Sequence, residues 1–385
     1  MSRYNHISVA IPILAEQDNL PSLLSRFRRQ TFRAFTLYLC VNNEEQGYGF
    51  AENQESLRLL QNVEDLPLVI IDRSSQGQGW TGKKKGVGWA RKILFDRIAA
   101  DLDENELVVS MDADTGFDDD YLEAVCNTMN AHPDYTAFCV PYYHPLDGGI
   151  LDRPMLRYEC YMRHYLIHLL RIGNPYAFTA LGSAMAFPMW AYRRAGGITP
   201  LQGGEDFYLM QKLAKTGKVQ LHFCHPTTSL SAVQPQGRVS ARVPFGTGPA
   251  IAAGIQEMDS RYPFYCEQGF NAIKATYDTF PTLYERDIET PLSSFLRQQL
   301  GTDDLWSPLR KNYRTCAHFI RACAERVDGL RILQYLKNTP DCRLPLSALP
   351  IDFHNDPIER LDDYRNQLFS EEISLRQKNS SGLTQ

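Results

Sequence analysis

The sequence predicts an α/β fold: a parallel sheet with helices on both faces, followed by a mainly helical C-terminal region. Three observations predict it. Short apolar runs alternate with amphipathic segments through the first 250 residues or so, the rhythm of strand–helix–strand units. Beyond about residue 255 the strand-like runs stop and helical spacing dominates. Between them, the run Leu107-Val108-Val109-Ser110-Met111 ends in Asp112-Ala113-Asp114. A buried strand that ends in two alternate carboxylates delivers acids to the C-terminal edge of a sheet, where open α/β folds bind ligands.

Taken in order, Ile7 to Leu14 reads as a first buried strand. Asn19 to Gln30 follows as a helix, with Leu20, Leu23, Leu24 and Phe27 on one face and Asn19 in the N-cap position. Strands are expected at 35–41, 66–71 and 107–111, with helices at 52–61 and 87–102 between them. A helix at 121–130 and a strand at 137–142 come next, then a long aromatic-rich helix from Met155 to Arg171 whose apolar face reads as core. Helices at 190–195 and 207–216 follow, the second closed by Gly217, and then a strand at 219–224. Further helices are expected at 291–300, 313–327 and 330–336. The expected division is a first domain over 1–250, a helical region over 251–375 and a disordered tail over 376–385.

Composition narrows the function. The 385 residues carry a net charge of −5, so bulk electrostatics do not favour nucleic acid. Basic residues cluster locally at Lys83-Lys84-Lys85 and at Arg238 and Arg242, which suits a small anionic ligand. Nine cysteines lie scattered without a CxxC pair, the pattern of reduced thiols in a cytoplasmic protein. No signal-peptide layout and no run of about 18 apolar residues is present, so any membrane contact is expected to be peripheral.

Four segments carry candidate chemistry. Asp112 and Asp114, two apart in an extended segment, point the same way and suit a hard divalent cation, Mn²⁺ or Mg²⁺. Gly203-Gly204-Glu205-Asp206 opens a helix, where a carboxylate can accept a proton from an acceptor hydroxyl and the glycines let the loop move. Gly77-Gln78-Gly79-Trp80-Thr81-Gly82-Lys83-Lys84 fits GxxxxGK, but Lys84 replaces the Ser or Thr that would reach Mg²⁺. It is therefore read as a basic loop for a diphosphate, with Lys83 as its contact, rather than as an NTPase loop. Finally, Arg238 and Arg242 offer guanidinium forks to phosphate oxygens, and His225 is a candidate third metal ligand.

Together these segments resemble a family 2 glycosyltransferase of the GT-A, Rossmann-like nucleotide-diphospho-sugar transferase fold. ISVAIPILAE is similar to that family's opening strand, MDADT to its DxD segment, and AGGITPLQGGEDFYLMQKLAKTG to its GGF…ED…L…RL…G segment. The resemblance covers about residues 5–245. It implies an inverting, metal-dependent transfer of a sugar from a nucleotide-sugar, UDP- before GDP-linked, to a hydroxyl of a glycan or lipid acceptor. It implies Pro12 and Glu16 at the nucleoside, Asp112 and Asp114 at the metal with Ala113 between them, and Asp206 as base with Glu205 beside it. One departure stands out: the family's Asp pair after the second strand is replaced by Asn42-Asn43, leaving Asn42 to hydrogen-bond a base edge. GWTGK ahead of DADT weakly resembles members with lipid or terpenoid acceptors. Two other readings remain, a sugar-1-phosphate nucleotidylyltransferase and a non-catalytic nucleotide-sugar binder. The first would want a Gly-rich, Arg-containing loop where Leu14-Ala15-Glu16-Gln17 stands, and the second leaves the acids at 205 and 206 without a task.

Overall fold

The computed structural model describes residues 2–45, 47–223, 233–238 and 246–380. The chain forms two compact units. Of the described residues, the first comprises those within 1–155, 178–254 and 376–380, and the second those within 156–177 and 255–375.

The first unit is built on a seven-stranded sheet. In chain order it contains β1 (Ile7–Ile13), α1 (Leu20–Arg29), β2 (Phe35–Asn42), α2 (Phe50–Gln61), β3 (Leu68–Arg73), α3 (Val87–Asp101), β4 (Leu107–Ser110), α4 (Tyr121–Ala131) and β5 (Ala137–Cys139). After the long helix α5 (Asp152–Arg171) come β6 (Met185–Pro188), α6 (Met189–Arg194), α7 (Glu205–Thr216) and β7 (Val219–Gln220). The strand order is β3-β2-β1-β4-β6-β5-β7. β1 pairs in parallel with β2 and with β4, with Ile7 opposite both Phe35 and Leu107. β1 and β4 are almost wholly buried and apolar but for Ser8 and Ser110 because they lie inside the sheet, whereas β3 at its edge is only partly buried. α1 buries Leu20, Leu23, Leu24 and Phe27, the stripe its spacing predicts.

The expectation of a parallel sheet is corrected here. β6 runs antiparallel to both β4 and β5, so the sheet is mixed. Sequence pattern missed this strand because Ala184, Ala186 and the closing Pro188 dilute the β-branched and aromatic signal. β5 and β7 are shorter than expected. Tyr142, beyond β5, is tied instead to Val233 by a single bridge, and Cys224 lies outside the described residues.

The second unit is helical. It takes most of α5, the second half of α8 (Thr247–Arg261), α9 (Glu267–Asp278), α10 (Phe280–Glu285), α11 (Ser293–Leu300), α12 (Ser307–Asn312), α13 (Cys316–Arg326), α14 (Gly329–Asn338) and most of α15 (Ile358–Ser380). The tyrosines of α5 are core, as expected: Tyr158 and Tyr161 lie 5.0 and 5.4 Å from the Tyr262 ring. The fully buried Arg163 on α5 meets Glu159 and Glu372, so each charge removed from water has a partner.

The disordered tail expected from residue 376 is also corrected. Residues 376–380 are the last turns of α15, and the buried Arg376 donates to the carbonyls of Cys139 (2.8 Å) and Leu221 (2.9 Å). Residues 381–385 lie outside the described residues. Among the described residues, no helix is long and apolar enough to cross a membrane.

Candidate active site

β4 delivers the two aspartates. Beyond its last residue the Met111 amide still donates to Ala10, and the chain then turns, with the Thr115 amide returning to the Asp112 carbonyl at 3.2 Å. Gly116 exchanges two 2.8 Å hydrogen bonds with Gln234, which brings the 233–238 segment alongside. Ala113 is buried between the acids. The Asp114 side chain is 13% exposed and that of Asp112 is 39%, so the pair forms one shielded and one open carboxylate.

A residue outside the predicted set organises them. Arg91, on the buried face of α3, donates through one nitrogen to Asp112 at 2.6 Å and through the other to Glu205 at the start of α7. One guanidinium thus joins the acid pair of β4 to the acid pair of α7. Burial alone would lower the Arg91 pKa, but Asp112, Glu205 and Asp206 outweigh it and hold the pKa above the ordinary arginine value. Gly182 makes room: a Cβ there would stand 1.9 Å from the guanidinium nitrogen. Gly88 does the same for the loop leading to α7, since a Cβ there would meet the Leu201 carbonyl at 2.0 Å. The sequence did carry a signal for Arg91, a lone charge among Ala90, Leu94, Phe95 and Ile98 on a buried helix face.

Asp206 sits one residue along from Glu205, with the left-handed Gly204 (φ 75°) turning the chain into α7. Burial raises its pKa to about 7, Glu205 adds to the rise, and Arg91 together with the Phe207 amide (2.8 Å) opposes it. A carboxyl group poised near neutrality is what a general base needs.

The third contributor is the turn after β1. Ala15 adopts φ 54°, a conformation that costs a non-glycine residue energy, and its amide is held by the buried Asn53 at 2.9 Å. That turn aims Glu16 inward. Glu16 accepts from Asn19 at 2.6 Å and from Arg238, and Arg238 also reaches Asp114 at 2.9 Å. Asn19 occupies the N-cap position of α1, yet its side chain serves Glu16 and does not cap the helix. Pro12 lies in β1 opposite Cys40, three residues before this turn ends.

Two of the expected contact segments are engaged within the protein. Asn42 is buried and its amide is committed: it donates to Ile13 (2.9 Å) and Cys40 (3.2 Å) and accepts from the Trp80 indole (3.1 Å). It locks β1, β2 and the Trp80 loop together, so contact with a base edge would cost one of these bonds. The glycine-rich loop is likewise engaged within the protein. Glu45 takes the Gly77 and Gly79 amides at 2.9 and 3.0 Å, where a phosphate loop would offer them to an anion. Lys83 lies exposed on that loop, while Lys85 pairs with Glu44. His225 and Arg242 lie outside the described residues.

Among the described residues no three His, Cys, Asp or Glu side chains form a metal-sized cluster. Asp112 and Asp114 are the protein oxygens on offer. The described chain gathers five carboxylates here, Glu16, Asp112, Asp114, Glu205 and Asp206, around Arg91 and Arg238. Of these, only Asp112 and Asp114 are candidate cation ligands, a pair that a hard divalent ion would complete with substrate phosphates.

Residues 107–277 match the family described as Glycosyl transferase family group 2. Both acid pairs fall inside the match, whereas Pro12, Glu16, Asn42 and Lys83 precede it. No curated protein matches the chain. Among solved structures it is similar to S. aureus TarS residues 1–349, with 11% identity, 98% of this chain and 92% of that chain covered, and a TM-score of 0.42. It is also similar to the mannosyltransferase PcManGT from Pyrobaculum calidifontis in complex with GDP-Man and Mn²⁺, with 14% identity, coverage of 97% and 86%, and a TM-score of 0.39. The strand-end aspartates and the helix-start acids both lie inside the matched residues, and that stretch of the chain is similar to the family 2 glycosyltransferases.

Proposed function

We propose that this protein moves a sugar from a nucleoside diphosphate sugar, UDP-linked in preference to GDP-linked, to a hydroxyl of a glycan or lipid acceptor with inversion at the anomeric carbon. The observation that carries the proposal is Arg91, which binds Asp112 and Glu205 at once and so sets a donor-end acid and an acceptor-end acid in one rigid frame. Asp206 accepts the proton of the acceptor hydroxyl, whose oxygen attacks the anomeric carbon from the face opposite the diphosphate. The bond to the diphosphate breaks as the new glycosidic bond forms, and the nucleoside diphosphate leaves with the electron pair. Asp112 and Asp114 would hold Mn²⁺ or Mg²⁺, which when bound would supply a Lewis acid to offset the charge on that leaving group. Arg238, already at Asp114 and Glu16, is placed to offer its fork to the same phosphates. Glu16 and Pro12 border the nucleoside side.

A panel of nucleotide sugars with and without Mn²⁺, read by thermal shift and donor hydrolysis, tests this. Metal-dependent stabilisation by one UDP- or GDP-sugar, lost in Asp114→Ala, is the expected result. No response to any nucleotide sugar, beside a clear response to a sugar-1-phosphate with a nucleoside triphosphate, would favour the nucleotidylyltransferase reading.

A further inference from the structure

Two of the cysteines that lie far apart in the sequence face each other in the helical unit. Tyr265 and Arg343 form an antiparallel bridge, flanked by hydrogen bonds from the Cys266 amide to the Cys342 carbonyl (2.7 Å) and from the Leu344 amide to the Phe264 carbonyl (2.8 Å). That register sets Cys266 opposite Cys342. Opposed residues of an antiparallel pair stand about 4.5–5.5 Å apart at Cα, inside the range of about 4.4–6.8 Å that disulfides span.

The side chains converge as well. The Cys266 thiol donates to the Asp341 carbonyl at 3.2 Å, the carbonyl joined to the Cys342 amide. Cys266 is the residue before α9, and the Cys342 sulfur packs over the first turn of that helix: a Cβ on Gly269 would stand 2.8 Å from it. A glycine at 269 is what lets the second thiol approach the first. Tyr335 lies against both, its hydroxyl pushed up to about 12 by burial and then by Cys342 and Cys266. Both thiols are free, Cys266 half-buried and Cys342 4% exposed. One is thus reachable by an oxidant and the other is held behind it.

We propose that Cys266 and Cys342 are a reversible thiol–disulfide pair that ties the start of α9 to the segment following α14. The oxidant is a low-molecular-weight disulfide. The Cys266 thiolate attacks one of its sulfurs, that S–S bond breaks and a small thiolate leaves. The Cys342 thiolate then attacks the Cys266 sulfur of the mixed disulfide and expels the second small thiolate. The two protein thiols lose two protons and two electrons, and the oxidant leaves as two thiols.

The full-length protein is incubated natively with oxidised glutathione, its remaining thiols are alkylated, and its peptides are mapped by mass. The expected result is a Cys266–Cys342 linked peptide, two hydrogens lighter than the reduced pair, which dithiothreitol removes. In Cys266→Ser the linked peptide is lost and Cys342 stays reduced. A stable glutathione adduct on Cys266 with Cys342 still a thiol would overturn the proposal. So would both thiols remaining reduced while the half-buried Cys316 is oxidised. Mapping of the unsubstituted chain decides the matter even if the variant folds poorly.

Discussion

At the residue scale, the site depends on charges that cannot be removed singly. Arg91 and Glu205 are almost fully buried, so Arg91→Met strands a carboxylate in the interior. Breaking such a pair costs about 3–5 kcal/mol, which denaturant unfolding of the variant will show alongside loss of transfer. Asp206 gives a pH signature. With its pKa raised to about 7 it becomes a competent base as pH rises, so transfer increases through a single ionisation near pH 7, and a flat rate between pH 5 and 9 would contradict the role. The sign for stability is opposite. The folded state holds this proton more tightly than an unfolded aspartate at 3.8, so the contribution is complete below 3.8 and is lost as pH rises through about 7. Residue types announced Asp112, Asp114, Glu205 and Asp206, because a strand end and a helix start are readable from spacing. The commitment of Asn42 to Ile13, Cys40 and Trp80 was not readable, since it joins side chains 38 residues apart.

At the element scale, the sheet is what brings these acids together. β4 lies between β1 and β6, so its C-terminal end meets the turn after β1 on one side and the chain entering β6 on the other. Gly182, in that entering chain, has no visible signature in sequence, because its requirement is the nearby guanidinium rather than its own dihedral angles. Gly182→Ala is expected to displace Arg91, lowering stability by about 1–3 kcal/mol as overpacking does and reducing transfer together with it. Unchanged activity in a folded Gly182→Ala protein would contradict the bridging role of Arg91. The parallel strands were legible as apolar runs. The antiparallel β6 was not, because four residues ending in proline carry too little pattern to be told from a loop.

At the scale of the whole molecule, composition pointed away from nucleic acid and the alternating elements gave the α/β class, while the mixed sheet emerged only from long-range pairing. The helical unit carried no readable motif, and its cysteine pair is invisible to spacing because 75 residues of chain separate the two thiols. Under the proposed function, donor binding and turnover are separable functions of the two acid pairs: donor and cation at β4, proton removal at α7. Asp206→Asn measures this most directly, with affinity for the nucleotide sugar and Mn²⁺ followed by calorimetry and turnover followed in the same preparation. The predicted result is donor affinity within a few-fold of the parent and turnover reduced about 10²–10⁴-fold, the usual contribution of a general base. Turnover preserved in Asp206→Asn, or donor affinity lost along with it, would contradict the assignment.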